Sequence, residues 1–265
     1  MRSRLVSSAV GLVLFGSLAL LDRSDWFVRT VLAAAAYDTV ASGTVNTPAT
    51  SIGSFNINIG AGVTNGVVVV GIVHNVNTTT SDAVTVGGNA ASLVTGTDST
   101  TNKTGRSMIF CYATGSTTGN VAVVASWTNN AGGVAGAMSF SGADQTTPCA
   151  NGGFTGYTTD GSGNPNPYTH AVTSTSGDTS LVYTECAGGT TPTAPTQTER
   201  YGGAVISGDF LTRLSASTAT GGTATHGWTT TSFKDCTLSG VNIAQVASAA
   251  APRTPCLPLL GVSCQ

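Results

Sequence analysis

The chain has 265 residues, of which 40% are hydrophobic and only 8% charged, and its formal net charge is -2. Its only lysines are Lys103 and Lys234, so no basic stripe exists to neutralise a run of phosphates, which excludes nucleic acid as a partner class. Strand-length apolar runs recur throughout, so the chain is no solvated disordered polymer; its polar positions carry Thr, Ser, Gly and Asn in place of charge.

Arg2 and Arg4 precede an uncharged stretch from Leu5 to Leu21, and Asp22, Arg23 and Asp25 interrupt before a second apolar piece that ends in Ala33-Ala34-Ala35-Ala36. This order resembles a secretory leader, with small residues at -3 and -1 of a cut after Ala36 and an earlier cut near Ala19 as the alternative. The competing reading is an uncleaved membrane helix, since Leu5 to Leu21 falls just short of the roughly 20 apolar residues that span a bilayer. Residues 1–36 are therefore expected to be a signal peptide or membrane-anchoring helix. Residues 37–249 are expected to form a β-sandwich, and 250–265 a Pro- and Cys-containing tail, all extracellular or on a cell surface. Membrane contact is expected only through the N-terminal segment, if uncleaved.

From Tyr37 onward strands alternate with polar turns. Phe55, Ile57 and Ile59 alternate with Asn56 and Asn58, which predicts a half-buried strand. Val67 to Val73 is β-branched without alternation and predicts a strand buried on both faces. Ala83 to Val86, the turn Gly87-Gly88-Asn89 and Ala91 to Val94 predict a hairpin. Met108, Phe110 and Tyr112 alternate with Ile109 and Cys111 in the next strand. Val121 to Trp127 and Val134 to Phe140 are expected as two strands separated at Asn129-Asn130, the second running into the turn SGADQTTP. Asn151 to Asn166, rich in glycine, reads as a long loop. Five further strands are expected, at Tyr168 to Val172, Ser180 to Glu185, Val205 to Leu214, Thr223 to Thr229 and Val241 to Val246. The fold class is all-β, a two-layer antiparallel sandwich.

The succession GVVVVGIVHNV, VTVGGNAASLV, RSMIFCYAT, GNVAVVASW, VAGAMSFSGADQTTP, GDTSLVYTECAGG, TATHGWTTT and VNIAQVA resembles a widespread set of uncharacterised β-sandwich modules of secreted bacterial and phage-associated proteins. The likeness runs from about Ser54 to Ala247 and is most specific at Val84 to Leu93 and Val134 to Pro148. It implies a jelly-roll-like sandwich and no particular reaction.

Cysteines at 111, 149, 186, 236, 256 and 264 suit an exported protein. Cys256 and Cys264 are the best local pair, flanking LPLLGVS. Cys111 with Cys186, both within predicted strands, and Cys149 with Cys236, both at loop edges, are the further candidate bridges. No C-x-x-C spacing points to zinc.

Catalytic signatures such as G-x-S-x-G, H-E-x-x-H and G-x-x-x-x-G-K are absent from the sequence. His74, His170 and His226 lie on or beside predicted strands and read as structural or surface residues, although triads assemble from distant positions. Glu185 and Glu199, the only glutamates, flank the Gly/Pro/Thr segment 187–197 and are the one pair a glycoside hydrolase could use. Asp160, Ser162 and Asn164 offer oxygens at alternate positions like the first half of a calcium loop, but Ala171 stands where the closing acid belongs, and calcium is the only cofactor considered. Tyr157 and Tyr168, near His170, bracket the long loop and are the expected ligand-binding group, because rings beside hydroxyls and amides suit sugar faces; the alternative is that they cover the end of the sandwich. The function expected is a non-enzymatic secreted or surface module that binds glycans or other surface polymers. A self-assembling subunit of a filament, surface layer or virion, whose partner is its own copies, is the alternative, and a glycoside hydrolase comes third.

Overall fold

In a computed structural model of the chain, the described residues are 34–74, 82–98, 106–157, 166–186, 192–206, 212–230 and 236–247. They contain fourteen strands, and every strand pair is antiparallel. The architecture is all-β and layered, as expected, but it has three sheets where two were anticipated.

The first sheet is built on two long strands, β1 (Ala36–Ile59) and β7 (Gly119–Ser141). They pair along their whole length, and β7 also carries β2 (Gly66–His74) on its second half and β3 (Ala83–Val86) on its first. Outside these lie β4 (Asn89–Ala90), β5 (Ser92–Asp98) and β6 (Arg106–Gly115), giving the order β4-β3-β7-β2-β6-β5. The sequence reads Asn129-Asn130 as a break between two strands; the structure instead bends one strand there. The pairing of β1 slips between Val45, Ala49 and Ser51, opposite that bend. Bulges of this kind let a strand turn a corner. Trp127 fastens the corner: its indole N–H donates to Ala49 O at 2.7 Å, and its ring lies where a Cβ on Gly133 would be. The sheet therefore folds over itself, and Val121, Val123 and Ala125 share one core with Val68, Val70, Ile72, Ala135 and Ala137.

The second sheet has the order β11-β12-β10-β14-β8, from β8 (Cys149–Tyr157), β10 (Thr179–Cys186), β11 (Thr198–Ile206), β12 (Thr212–Thr220) and β14 (Cys236–Ile243). It packs on the other face of β2, where Val67, Val69 and Val73 meet Leu181, Tyr183, Leu214 and Val241. The unalternating run of valines thus sits between two cores, as its composition implies. Tyr183 crosses this interface. Its hydroxyl reaches Gly136 O at 2.9 Å and Val69 O at 3.1 Å, and its ring lies flat on Gly71, where an added Cβ would stand 2.7 Å from ring carbons. The third sheet is a ribbon of β9 (Tyr168–Val172) and β13 (Ala224–Trp228) that covers the outer face of the second sheet over Val182, Leu238 and the Cys186–Cys236 bridge.

Several local expectations change. Gly87 and Gly88 form the anticipated turn, with φ of 58° and 80°, but the returning strand β4 lasts two residues before β5 leaves to pair with β6. Asn151 to Tyr157, read as loop from its glycines, is part of β8 and pairs with β14. Gly152 is needed there because a Cβ would lie 2.9 Å from Val94 Cγ1 and 3.0 Å from Thr95 Cβ, so the glycine permits close approach of two layers.

The cysteine pairing also differs from the expected one. Cys111 joins Cys149, and Cys186 joins Cys236. The second bridge follows from register, since β10 and β14 are neighbours with Cys186 directly opposite Cys236. The first ties β6 to the start of β8 and so clips the two large sheets together. The Cys256–Cys264 pair lies outside the described residues, as does the proposed leader up to residue 33.

Candidate functional site

The SGADQTTP turn leads from the first sheet to the second, and hydrogen bonding fixes its course. Gly142 N–H donates to Thr64 O and Ala143 N–H to Asn65 O, each at 2.8 Å, and Asp144 N–H donates to Ala244 O at 2.8 Å. Gln145 braces the turn from beneath: its amide N–H group donates to Gly66 O (3.1 Å) and Ala143 O (3.0 Å), while its Oε1 accepts from Gly115 N–H (2.9 Å). Asp144 Oδ1 accepts the N–H groups of Thr147 (3.0 Å) and Thr146 (2.7 Å), and these two bonds hold its carboxyl below the usual range. All this bonding leaves the threonine side chains exposed on a rigid rim.

Beside that rim runs a groove of about 610 Å³. Ser92, Leu93 and Val94 of β5 and Cys111, Tyr112 and Ala113 of β6 line it together with Thr146, Thr147, the Cys111–Cys149 bridge and Asn151; Ser92 and Cys111 share one face of these strands, whereas Leu93 and Tyr112 lie on the other, where Tyr112 packs on the core inside the first sheet. The volume lies within the ordinary range for small-molecule sites. Leu93 is 53% exposed, and with Phe154 it is one of two large apolar side chains left in solvent among the described residues. Asn151 adopts φ 50° and is tethered through its amide to Thr173 O at 3.0 Å. No residue lining the groove carries a charge. The arrangement can offer hydroxyls and an amide beside small apolar side chains and a disulfide, with no charged side chain in the lining.

The residues singled out from sequence fall elsewhere. Tyr168 is fully buried, stacked on Trp228 with ring centroids 6.5 Å apart. Its hydroxyl donates to Cys186 Sγ at 3.3 Å and receives the Thr184 hydroxyl at 3.4 Å. It is an interior residue with no face open to a ligand, and burial pushes its phenol well above the ordinary value. His170 is 9% exposed, bonded through Nδ1 to Thr155 Oγ1 at 2.8 Å and pressed against Gly153 and Gly240, so it too belongs to the ribbon's packing. Tyr157 ends β8, and only its backbone is described. Asp160, Ser162 and Asn164 lie outside the described residues. Among the described residues no three His, Cys, Asp or Glu side chains gather as a metal site.

His226 has two serine partners: Nε2 lies 2.9 Å from Ser180 Oγ and Nδ1 lies 2.8 Å from Ser217 Oγ. Ser180 donates its own proton to Ala219 O, so the network closes with the imidazole proton on Nε2 and Nδ1 accepting from Ser217. Ser180, Ser217 and His226 are all 0% exposed, which makes this a sealed structural cluster and not a nucleophile with its base. Desolvation, reinforced by the facing His170, pushes the His226 imidazole down to about 4. Glu185 lies opposite Leu214 in β10, where only its backbone is described, and Glu199 is exposed on β11 opposite Ser217.

Sequence reasoning missed Leu93, Tyr112, Thr146, Thr147 and Asn151 as a group. The one available signal was the polar DQTTP run closing an apolar strand just before a cysteine. No protein-family model, curated protein or solved structure matches the chain. The resemblance noted from sequence thus extends to the layered, antiparallel all-β architecture, without a family.

Proposed function

We propose that this is a secreted or cell-surface binding module without enzymatic activity, of the jelly-roll-like kind its sequence resembles, and that it holds a neutral glycan in the groove beside the Cys111–Cys149 bridge. The observation that carries this reading is the lining itself: the hydroxyls of Ser92, Thr146 and Thr147 and the Asn151 amide stand beside small apolar side chains and a disulfide, with no charge among them. Sugar rings present apolar C–H faces and hydroxyl edges, which such a lining complements. Two disulfides in the described chain support an oxidising compartment. An uncharged groove selects against anionic polysaccharides only weakly but gives binding that does not weaken with salt.

The test is a glycan array with pull-down on cell-wall polysaccharides, repeated at low and high salt. Retention on a neutral glycan that is lost in Thr147→Arg, at an exposed lining position, with the variant still folded by circular dichroism, supports the reading. No retention on any surface overturns it.

A second reading, assembly from copies of the chain, is favoured by the outer face of the first sheet. Asn56, Asn58, Ala83, Thr85, Ala122, Val124 and Ser126 alternate with the buried residues there and form a face without charge. Little electrostatic repulsion would oppose stacking of two such faces. Sedimentation at high concentration separates the readings, since a stable monomer speaks against assembly.

A further inference from the structure

Two places behind the apolar segment Leu5 to Phe15 satisfy the requirement of signal processing for small residues at -3 and -1: Ser17 and Ala19, and the alanine run at Ala33 to Ala36. The sequence alone favours neither, but the fold distinguishes them. Ala35 is 0% exposed and belongs to the core between the two large sheets, together with Phe140, Val241 and Ile243. Its N–H donates to Gly177 O at 3.0 Å, and its carbonyl accepts the hydroxyl of Thr179, a residue only 1% exposed.

The receiving turn is rigid. Asp178 Oδ2 accepts from Thr175 Oγ1 (2.7 Å), Thr175 N–H (3.1 Å) and Asn242 Nδ2 (2.9 Å), and its Oδ1 accepts from Gln245 N–H (2.9 Å). The next residues are pinned as well. Ala36 pairs with Ser141 and Tyr37 with Phe140, and the Tyr37 ring meets Phe140 edge-on and lies under the Arg200 guanidinium, 4.2 Å from its Cζ. A cut after Ala35 or Ala36 would remove a packed core residue, leave a buried threonine hydroxyl without its acceptor, and place a new ammonium group at the first rung of β1.

Resting on the export reading above, we propose that the leader is removed after Ala19, so that the mature chain begins at Leu20 and keeps Ala35 as part of its folded domain. The early site also gives the leader ordinary proportions. Arg2 and Arg4 are followed by an apolar segment from Leu5 to Phe15 and then by Gly-Ser-Leu-Ala, and the charged Asp22, Arg23 and Asp25 fall behind the cut instead of inside the leader.

The experiment is expression of the full chain in a secreting host, with N-terminal sequencing and intact mass of the exported protein. Leu20 as first residue is the expected result; Ala36 or Tyr37 as first residue, or an exported chain with the leader uncut, overturns the proposal. Two variants sharpen it. Ala19→Arg is expected to abolish processing, whereas Ala36→Arg, at an exposed position, leaves the Leu20 terminus unchanged, and the opposite pattern refutes the assignment. Failure of the protein to leave the cytoplasm would sink the export reading itself, while export with a Tyr37 terminus would defeat only the processing site.

Discussion

Acid should loosen this protein chiefly through one residue, His226. His226 is sealed between the ribbon and the second sheet, and its imidazole is lowered from 6.5 to about 4 by desolvation first and by the neighbouring His170 second. The unfolded chain takes up a proton on this ring near 6.5, and the folded chain does so only near 4. The neutral ring's contribution is therefore intact above pH 6.5 and is lost progressively as the pH falls towards 4. Lowering the pH from 7 to 4.5 should cost about 2.4 kcal/mol from this residue, at about 1.36 kcal/mol per decade. His170, also lowered by burial, acts in the same direction. The carboxyl of Asp178 feels desolvation that raises it, but its four hydrogen bonds prevail and hold it low, so its stabilising effect is lost only as the pH falls through and below the carboxylate range. The assay is urea unfolding followed by tryptophan fluorescence at several pH values between 7 and 4.5, on the wild type and on His226→Gln, whose amide can still donate to one serine and accept from the other. The wild type should lose stability over this window, and the variant should start less stable and show a shallower loss by about the amount above. Equal slopes in the two proteins would refute the reasoning.

Gly71→Ala should destabilise by about 2 to 3 kcal/mol, because its methyl would press on the Tyr183 ring from 2.7 Å between two packed sheets, and chemical denaturation reads this directly. Tyr183→Phe should cost about 1 to 2 kcal/mol in the same measurement, since the carbonyls of Gly136 and Val69 lose the hydroxyl. Each disulfide closes a long loop, with sequence separations of 38 and 50, so double alanine replacement of either pair should cost about 4 kcal/mol and lower the thermal midpoint accordingly. Ser92→Glu, at an exposed position opposite Cys111, should change stability by less than about 0.5 kcal/mol yet abolish retention on the neutral glycan by placing a charge in the groove. Retention equal to that of the wild type would remove the groove as the binding site.

Local pattern carried a good part of this fold. The alternation at Phe55 to Ile59 buries Ile57 and Ile59 and exposes both asparagines, and the valine run of β2 lies between two cores, because side-chain direction along a strand depends only on parity. Gly87-Gly88 could be read as a turn because positive φ at successive residues is nearly confined to glycine. The same reasoning failed where a residue's meaning depends on a distant partner. Gly152 and Gly153 look like loop glycines until Val94, Thr95 and His170 are seen against them. Tyr168 looks like a loop aromatic until Trp228 arrives from 60 positions away in the sequence to cover it.

The amino-acid order by itself determined the all-β class, the strand faces and the absence of a familiar catalytic motif, since these follow from neighbours along the chain. Only the tertiary structure decided that Asn129-Asn130 bends a strand instead of ending it, that Cys111 meets Cys149, and that Leu93, Tyr112, Thr146 and Asn151 line one groove. Those facts depend on the register between strands far apart in sequence, and register is set by the packing of the whole sandwich.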